Sequence, residues 1–406
     1  MRVAALLFIG WLAACGSSDS DAPGSAGTGG AAGDAGTTGG TTSTGGSTST
    51  GGASSGGAGN ASSGGQAGSS GSDAGVSGSA GTSSDAGADA GPLTVAECLA
   101  KQFVNQSSNV SLNYDQFNPV VGSHCQGTNH QNITGVQRVV FLGDSVTVGT
   151  PPSNLNPANV YRAILAKKLA THFNLKAPGL GWGGADPFNG VALPKESGDF
   201  ISCSKWGART DDLMKDSNQV VDCIPQNKRH LRHLVIMTMG GNDIASITKD
   251  GGGANPPKTI PELWQATQGF VQLLRETMEW LKDPNNVPGG VDVVFANNFE
   301  FTDGTGDTTA CSSASLAGIE PWQDKQAQAD MVIWANEQYL KIAVDTQSDM
   351  IFMLEGFCGH GYKRNDPSGP CYRGPNQPLW FDLTCIHPND AGHAAVADMF
   401  FKTVAE

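Results

Sequence analysis

A serine and a histidine far apart in this chain could together do covalent chemistry. Ser145 stands in RVVFLGDSVTVGT (138–150), directly after an apolar run. A serine hydroxyl attacks a carbonyl well only when a base takes its proton as the new bond forms. His387, in FDLTCIHPNDAGH (381–393), is a candidate for that base. Two other stretches share the same style of punctuation: SKWGARTDDLM (204–214), with Gly207, and GGND (240–243), with Asn242. Each residue also has a plain explanation, as a turn serine, a surface histidine, a loop glycine or a capping asparagine. Chemistry requires that the fold bring them to one place.

The elements that must do this are legible. Short Val/Ile/Leu/Met/Phe runs at 138–142, 233–239, 291–297 and 349–355 read as strands, and their continuity implies cover on both faces, as in a parallel sheet. Helical patterns fall between them at 159–173, 263–282 and 322–345, and a last one at 390–404 closes the chain. A further strand is expected somewhere in 186–206. Strand and helix alternating in this way predict an α/β fold, a three-layer doubly wound parallel sheet, whose ligands sit beyond the carboxyl ends of the strands. Ser145 and Asn242 both follow strands, Gly207 lies in a loop ahead of a helix start, and His387 precedes the last helix.

Gly-Asp-Ser on the first strand, a loop glycine, GGND on a later strand and HPNDAGH before the final helix together resemble the SGNH hydrolases, also called GDSL esterases and lipases. The resemblance runs from about Arg138 to Phe401, with all four motifs in the family's order. It implies a flavodoxin-like fold and a carboxylic ester hydrolase working through an acyl-enzyme without a cofactor. It further implies that Ser145 is the nucleophile, that His387 is the base, and that an oxyanion hole is formed by the backbone N–H groups of Ser145 and Gly207 with the side-chain amide of Asn242. Glycine suits such a loop because the missing Cβ lets the backbone approach the substrate, and Asn242 supplies a neutral donor.

One position departs from the family. An aspartate is usual three residues before the histidine, but Thr384 stands there, and the nearest acid is Asp382. Either Asp382 reaches His387 through a longer loop, the preferred expectation, or a backbone carbonyl orients the ring. Asp144 and Asp243 are expected to organise their loops, and His393 to cap or pack the last helix.

The surroundings bound the setting. Residues 1–15, MRVAALLFIGWLAAC, read as a secretory leader, and Leu12-Ala13-Ala14-Cys15 resembles the lipobox of bacterial lipoproteins, in which the cysteine is acylated. A glycine following Cys15 favours the outer membrane in that scheme. Residues 16–92 hold 25 of the 55 glycines, six aspartates and no Lys or Arg, a composition unable to offset its conformational entropy. They are expected to form a disordered tether, with a root-mean-square span on the order of 50 Å. Residues 93–406 are expected to form the catalytic domain, with 23 basic and 32 acidic residues, a net charge of −9 that argues against nucleic acid and against electrostatic adhesion to anionic lipid. Membrane contact is expected through the lipid anchor alone, and a monomer is expected.

Eight cysteines besides Cys15 suit an exported chain with up to four disulfides. Proximity favours Cys98–Cys125, Cys203–Cys223 and Cys358–Cys371, which leaves Cys311 for Cys385. No CxxC or HExxH motif supports a metal site. His230 and His233 are expected at a solvated strand edge, and Asp303 and Asp307 in a turn.

Three competitors are weaker. An α/β-hydrolase elbow, GxSxG, would need glycine where Thr147 stands. A flavodoxin-like anion-binding module would leave Asn242 and His387 without a task, and a surface adhesion or carbohydrate-binding domain descended from an esterase would need no nucleophile. The substrate expected first is a short acyl ester, on a small molecule or a polysaccharide, and second a lipid ester. Trp182 and Trp380 are candidates for a cleft wall, and the stretch 358–380 for a lid or rim.

Overall fold

The computed structural model describes residues 93–105, 112–150, 156–315 and 319–406. The leader, Cys15 and the tether expected up to residue 92 lie outside these residues. Six strands make one sheet: β1 (Arg138–Gly143), β2 (Glu196–Ser197), β3 (Phe200–Ser202), β4 (His233–Thr238), β5 (Val291–Ala296) and β6 (Asp349–Ile351), in the spatial order β2-β3-β1-β4-β5-β6. All pairs from β3 to β6 are parallel, and β2 adds to the outer side of β3 antiparallel. The fold is thus α/β, with one change from a purely parallel sheet. The strand expected within 186–206 is a hairpin of two very short strands at one edge.

The helices are α1 (Val95–Ala100), α2 (Ser145–Val148), α3 (Tyr161–His172), α4 (Gln219–Cys223), α5 (Gly241–Thr248), α6 (Ile260–Lys282), α7 (Lys325–Asp345), α8 (Met353–Phe357) and α9 (Asp390–Ala405). Strand side chains alternate between faces, so each central strand feeds two cores. Val139, Phe141, Leu234, Ile236 and Val294 pack with Leu165, Leu169, Val396 and Phe400 of α3 and α9. Val140, Leu142, Val235, Met237, Val293 and Phe295 pack with Leu274, Met278, Tyr339 and Leu340 of α6 and α7. Helix starts are fixed locally: Thr259 and Glu262 form a capping box at α6, and Asn389 caps α9 by accepting from the Gly392 N–H.

From β1 the chain crosses through α3 to β3 on one side, then returns through α4 to β4 on the other. The two crossovers leave in opposite directions, so a crevice opens beyond the carboxyl ends of β1 and β4. Ser145 opens α2 and Asn242 is the second residue of α5, just beyond those ends.

Three expectations change. The run at 349–355 is a strand only to Ile351, because Phe352 turns away to donate to the Gln126 carbonyl and Asn297 accepts from Leu354 N–H inside α8. A continuous apolar run has no period from which to read such a break. His233 is fully buried rather than solvated; its Nε2 contacts the Lys228 carbonyl, and burial lowers its pKa to about 4. Trp182 is core, packed against Phe141 and Phe200 under the Arg162 guanidinium, and does not wall a cleft.

The four disulfides are Cys98–Cys125, Cys203–Cys223, Cys311–Cys385 and Cys358–Cys371, as proximity suggested. The stretch 358–380 is tied down. The Asp303 carboxylate accepts from the N–H groups of Gly359, Gly361 and Lys363, and Trp380 stacks flat on His360 at 3.6 Å. No helix among the described residues is long and apolar enough to cross a membrane.

Candidate active site

The turn that carries Ser145 is over-determined. Gly143, the last residue of β1, has φ +141°, and a Cβ there would collide with Thr147 Oγ1 and the Thr238 carbonyl. Both of its backbone groups are held by one side chain: Gln219 Oε1 accepts from Gly143 N–H at 2.8 Å and Gln219 Nε2 donates to its carbonyl at 3.0 Å. Asp144 caps α2, accepting from Val146 N–H at 3.0 Å and from Thr238 Oγ1 at 3.2 Å. Thr147 Oγ1 lies 2.6 Å from both Tyr161 Oη and Thr238 Oγ1. At the far end of α2, the buried Arg162 guanidinium donates to the carbonyls of Thr147 and Val148, and also to those of Trp182 and Gly184. A cation there suits carbonyls that a helix end leaves unpaired.

His387 lies in the loop before α9. Its Nε2 is 2.9 Å from Ser145 Oγ, and both residues are buried. Burial lowers the His387 pKa below its usual 6.5, and the Asp382 charge partly opposes that shift. Neither expected partner contacts Nδ1: the atom found there is Thr384 Oγ1, at 2.9 Å. Thr384 in turn donates to Asp382 Oδ1 through both its hydroxyl, at 2.5 Å, and its backbone N–H, at 2.8 Å. Asp382 is therefore joined to His387 through a hydroxyl, not directly. Around this loop, Asp382 N–H donates to the His387 carbonyl, Tyr362 Oη donates to the Asp382 carbonyl at 2.7 Å, and Cys385 is bonded to Cys311.

The loop with Gly207 is pinned between β1 and α5. Lys205 N–H donates to the Gly143 carbonyl at 3.0 Å, and Asn242 Nδ2 donates to the Ala208 carbonyl at 3.0 Å. Asp243, buried, accepts from Thr210 N–H at 3.1 Å and Oγ1 at 3.0 Å. Burial raises the pKa of Asp243 to about 7 and of Asp144 to about 6, and their hydrogen bonds oppose those shifts. Gly207 has φ +73°, which glycine adopts without cost. Among the described residues, the N–H groups of Ser145 and Gly207 have no protein acceptor. One Asn242 amide proton is used on Ala208, leaving the other for a ligand.

Five predicted site residues thus converge: Ser145 with His387, Asn242 with the Gly207 loop, and Asp382 through Thr384. Cys15 lies outside the described residues. Among those described, no cluster of three or more His, Cys, Asp or Glu could hold a metal ion. Sequence reasoning missed Thr384, Arg162 and Gln219. Thr384 was visible as the occupant of the usual aspartate position. Arg162 was visible as a cation on the apolar face of α3, in line with Leu165 and Leu169. No signal in the chain marks Gln219.

A model of the GDSL-like lipase/acylhydrolase family matches residues 141–395. No curated protein matches the chain by sequence. Solved structures that align with it include phospholipase A1 from Streptomyces albidoflavus NA297, at 17% identity over 65% of this chain and 98% of that one, with a TM-score of 0.40. An extracellular lipase from Streptomyces rimosus aligns at 16% identity over 67% and 100%, with a TM-score of 0.39. An acetylxylan esterase from Geobacillus stearothermophilus aligns at 14% over 68% and 97%, with a TM-score of 0.37.

Proposed function

Because the chain belongs to the GDSL-like lipase/acylhydrolase family and is a carboxylic ester hydrolase, we propose that Ser145 attacks the ester carbonyl with His387 as its base. The observation that carries this reading is the 2.9 Å contact between Ser145 Oγ and His387 Nε2. In the first half-reaction Oγ bonds to the carbonyl carbon while its proton passes to Nε2. The oxyanion that forms is received by the N–H groups of Ser145 and Gly207 and the amide of Asn242. His387 then returns the proton to the departing alkoxide, leaving an acyl-enzyme and an alcohol. Water repeats the sequence, releases the acid and restores Ser145. Asp382 favours the imidazolium that exists between these steps.

The natural substrate is a short acyl ester, on a small molecule or a carbohydrate. Trp206, half-buried immediately before Gly207, supports this as a flat aromatic surface beside the donor loop. A lipid ester is the second reading, favoured by the exposed side chains of Leu180, Phe188, Leu193 and Leu383. The protein acts outside the cytoplasm, a setting that its four disulfides support. It is tethered as a monomer by an acylated Cys15, at the outer membrane. A serine-reactive fluorophosphonate tests the reading of the site: wild type should be labelled and Ser145→Ala should not, and labelling of both would overturn it. A series of p-nitrophenyl esters of increasing acyl length, run beside acetylated polysaccharides, separates the two substrate readings.

A further inference from the structure

We infer that Thr384 is a positioning residue that couples His387 to Asp382, so that this site orients its base through the line Ser145–His387–Thr384–Asp382. The inference rests on the esterase reading above and specifies how its base is held.

The direction of each hydrogen bond follows from donor counts. Asp382 Oδ1 as a carboxylate only accepts, and it lies 2.5 Å from Thr384 Oγ1. The single hydroxyl proton of Thr384 must point there, since otherwise two acceptors would face each other at that distance. Thr384 Oγ1 is then an acceptor toward His387, so Nδ1, 2.9 Å away, carries the ring proton. That leaves Nε2 unprotonated and facing Ser145 Oγ–H at 2.9 Å, the tautomer a general base needs. One hydroxyl thereby sets the protonation of the ring.

A threonine that merely closed a turn would not need the second contact. Thr384 N–H already satisfies the turn by donating to Asp382 Oδ1, and Cys385 N–H closes it on the Asp382 carbonyl at 3.2 Å. The hydroxyl is free of that task and bridges instead. When Ser145 gives its proton to Nε2, the ring becomes cationic and its Nδ1–H bond to Thr384 strengthens, which polarises the Thr384 O–H toward the carboxylate. No proton reaches Asp382. The carboxylate acts one hydroxyl further from the ring than in a direct triad, so its removal should cost less than the roughly 10⁴-fold typical there.

The test compares Thr384→Val, Thr384→Ser, Asp382→Asn and the double variant Asp382→Asn/Thr384→Val. Rates on p-nitrophenyl acetate are normalised to active sites by fluorophosphonate titration, so that any misfolded fraction drops out. Thr384→Val should lower kcat by on the order of 10²-fold, with KM little changed and the acid limb of the pH profile moved to lower pH. Thr384→Ser should restore most of the rate, because it keeps the hydroxyl, and the double variant should be no worse than Thr384→Val. If Thr384→Val turns over within a few-fold of wild type, or if the two losses multiply, the coupling is wrong while the esterase reading stands. If wild type neither labels nor hydrolyses any ester, the esterase reading fails and the coupling falls with it.

Discussion

Arg162 is the place where the structure makes its sharpest energetic demand. Its guanidinium is fully buried, and its partners are four backbone carbonyls: Thr147 at 3.1 Å, Val148 at 3.2 Å, Gly184 at 3.0 Å and Trp182 at 2.5 Å. Burial lowers its pKa well below the usual arginine range, to about 9, so holding the charge there costs on the order of 5 kcal/mol. Arg162→Leu removes that cost. It also strips four acceptors that no mutation can delete, at about 1–3 kcal/mol each, or about 4–12 kcal/mol together. Water entering the vacated space recovers part of the loss, and relief of the buried charge recovers more. Setting the middle of that range, about 8 kcal/mol, against the relief of about 5 kcal/mol leaves about 3 kcal/mol of destabilisation. Arg162→Lys keeps a cation but presents it at one point, which cannot span carbonyls from two segments, so about half that loss should follow. Urea unfolding with disulfides intact measures both variants. Because Thr147 and Val148 belong to the turn after Ser145, fluorophosphonate labelling of the folded fraction should slow as well. A loss below about 1 kcal/mol for Arg162→Leu, or a gain, would show that the carbonyls find other partners and that the guanidinium is no clamp.

Other consequences are open to direct measurement. Asn242→Ala should reduce kcat by about 10²- to 10³-fold with KM nearly unchanged, since an oxyanion donor acts mainly in the transition state; an unchanged kcat would remove Asn242 from that role. On the proposed mechanism His387 must be neutral to act as base, and burial outweighs Asp382 in setting its pKa below 6.5, so kcat/KM should rise with pH through a midpoint under 6.5 and then hold level. Asp382→Asn removes the opposing charge and should move that midpoint lower still, whereas a midpoint above 6.5 would mean that burial does not dominate. Replacing Cys311 and Cys385 together by serine opens a link 74 residues apart in sequence and should cost about 4 kcal/mol by chain entropy. It should also slow turnover at active-site-normalised concentration, because Cys385 lies beside Thr384.

Much of this molecule was legible in one dimension. Apolar runs at 138–142, 233–239 and 291–297 read as strands covered on both faces, and central strands lie there. The helices expected at 263–282 and 390–404 followed from apolar spacing, while the caps at Thr259 and Asn389 that fix where they start were seen only in the folded chain. Strand order, the register of β1 on β4 and the crevice between them follow from crossover handedness and core packing, which no single segment carries. The break at Phe352 was hidden because its cause, Asn297, belongs to another strand's end.

The same division runs through the site. Residue types and motif order sufficed to nominate Ser145, Gly207, Asn242 and His387, since ester chemistry restricts which side chains can attack, accept a proton or stabilise an oxyanion. How His387 is held was beyond the sequence: a choice between Asp382 and a carbonyl was the most that spacing allowed. The folded loop, tied by Cys311, Tyr362 and its own turn, brings Thr384 between ring and carboxylate. Arg162 and Gln219 belong to the same class, polar side chains spent on backbone groups distant in sequence. Local chemistry is written in the order of residues, but hydrogen-bond partners are chosen by distance in space, and only the packed chain sets those distances.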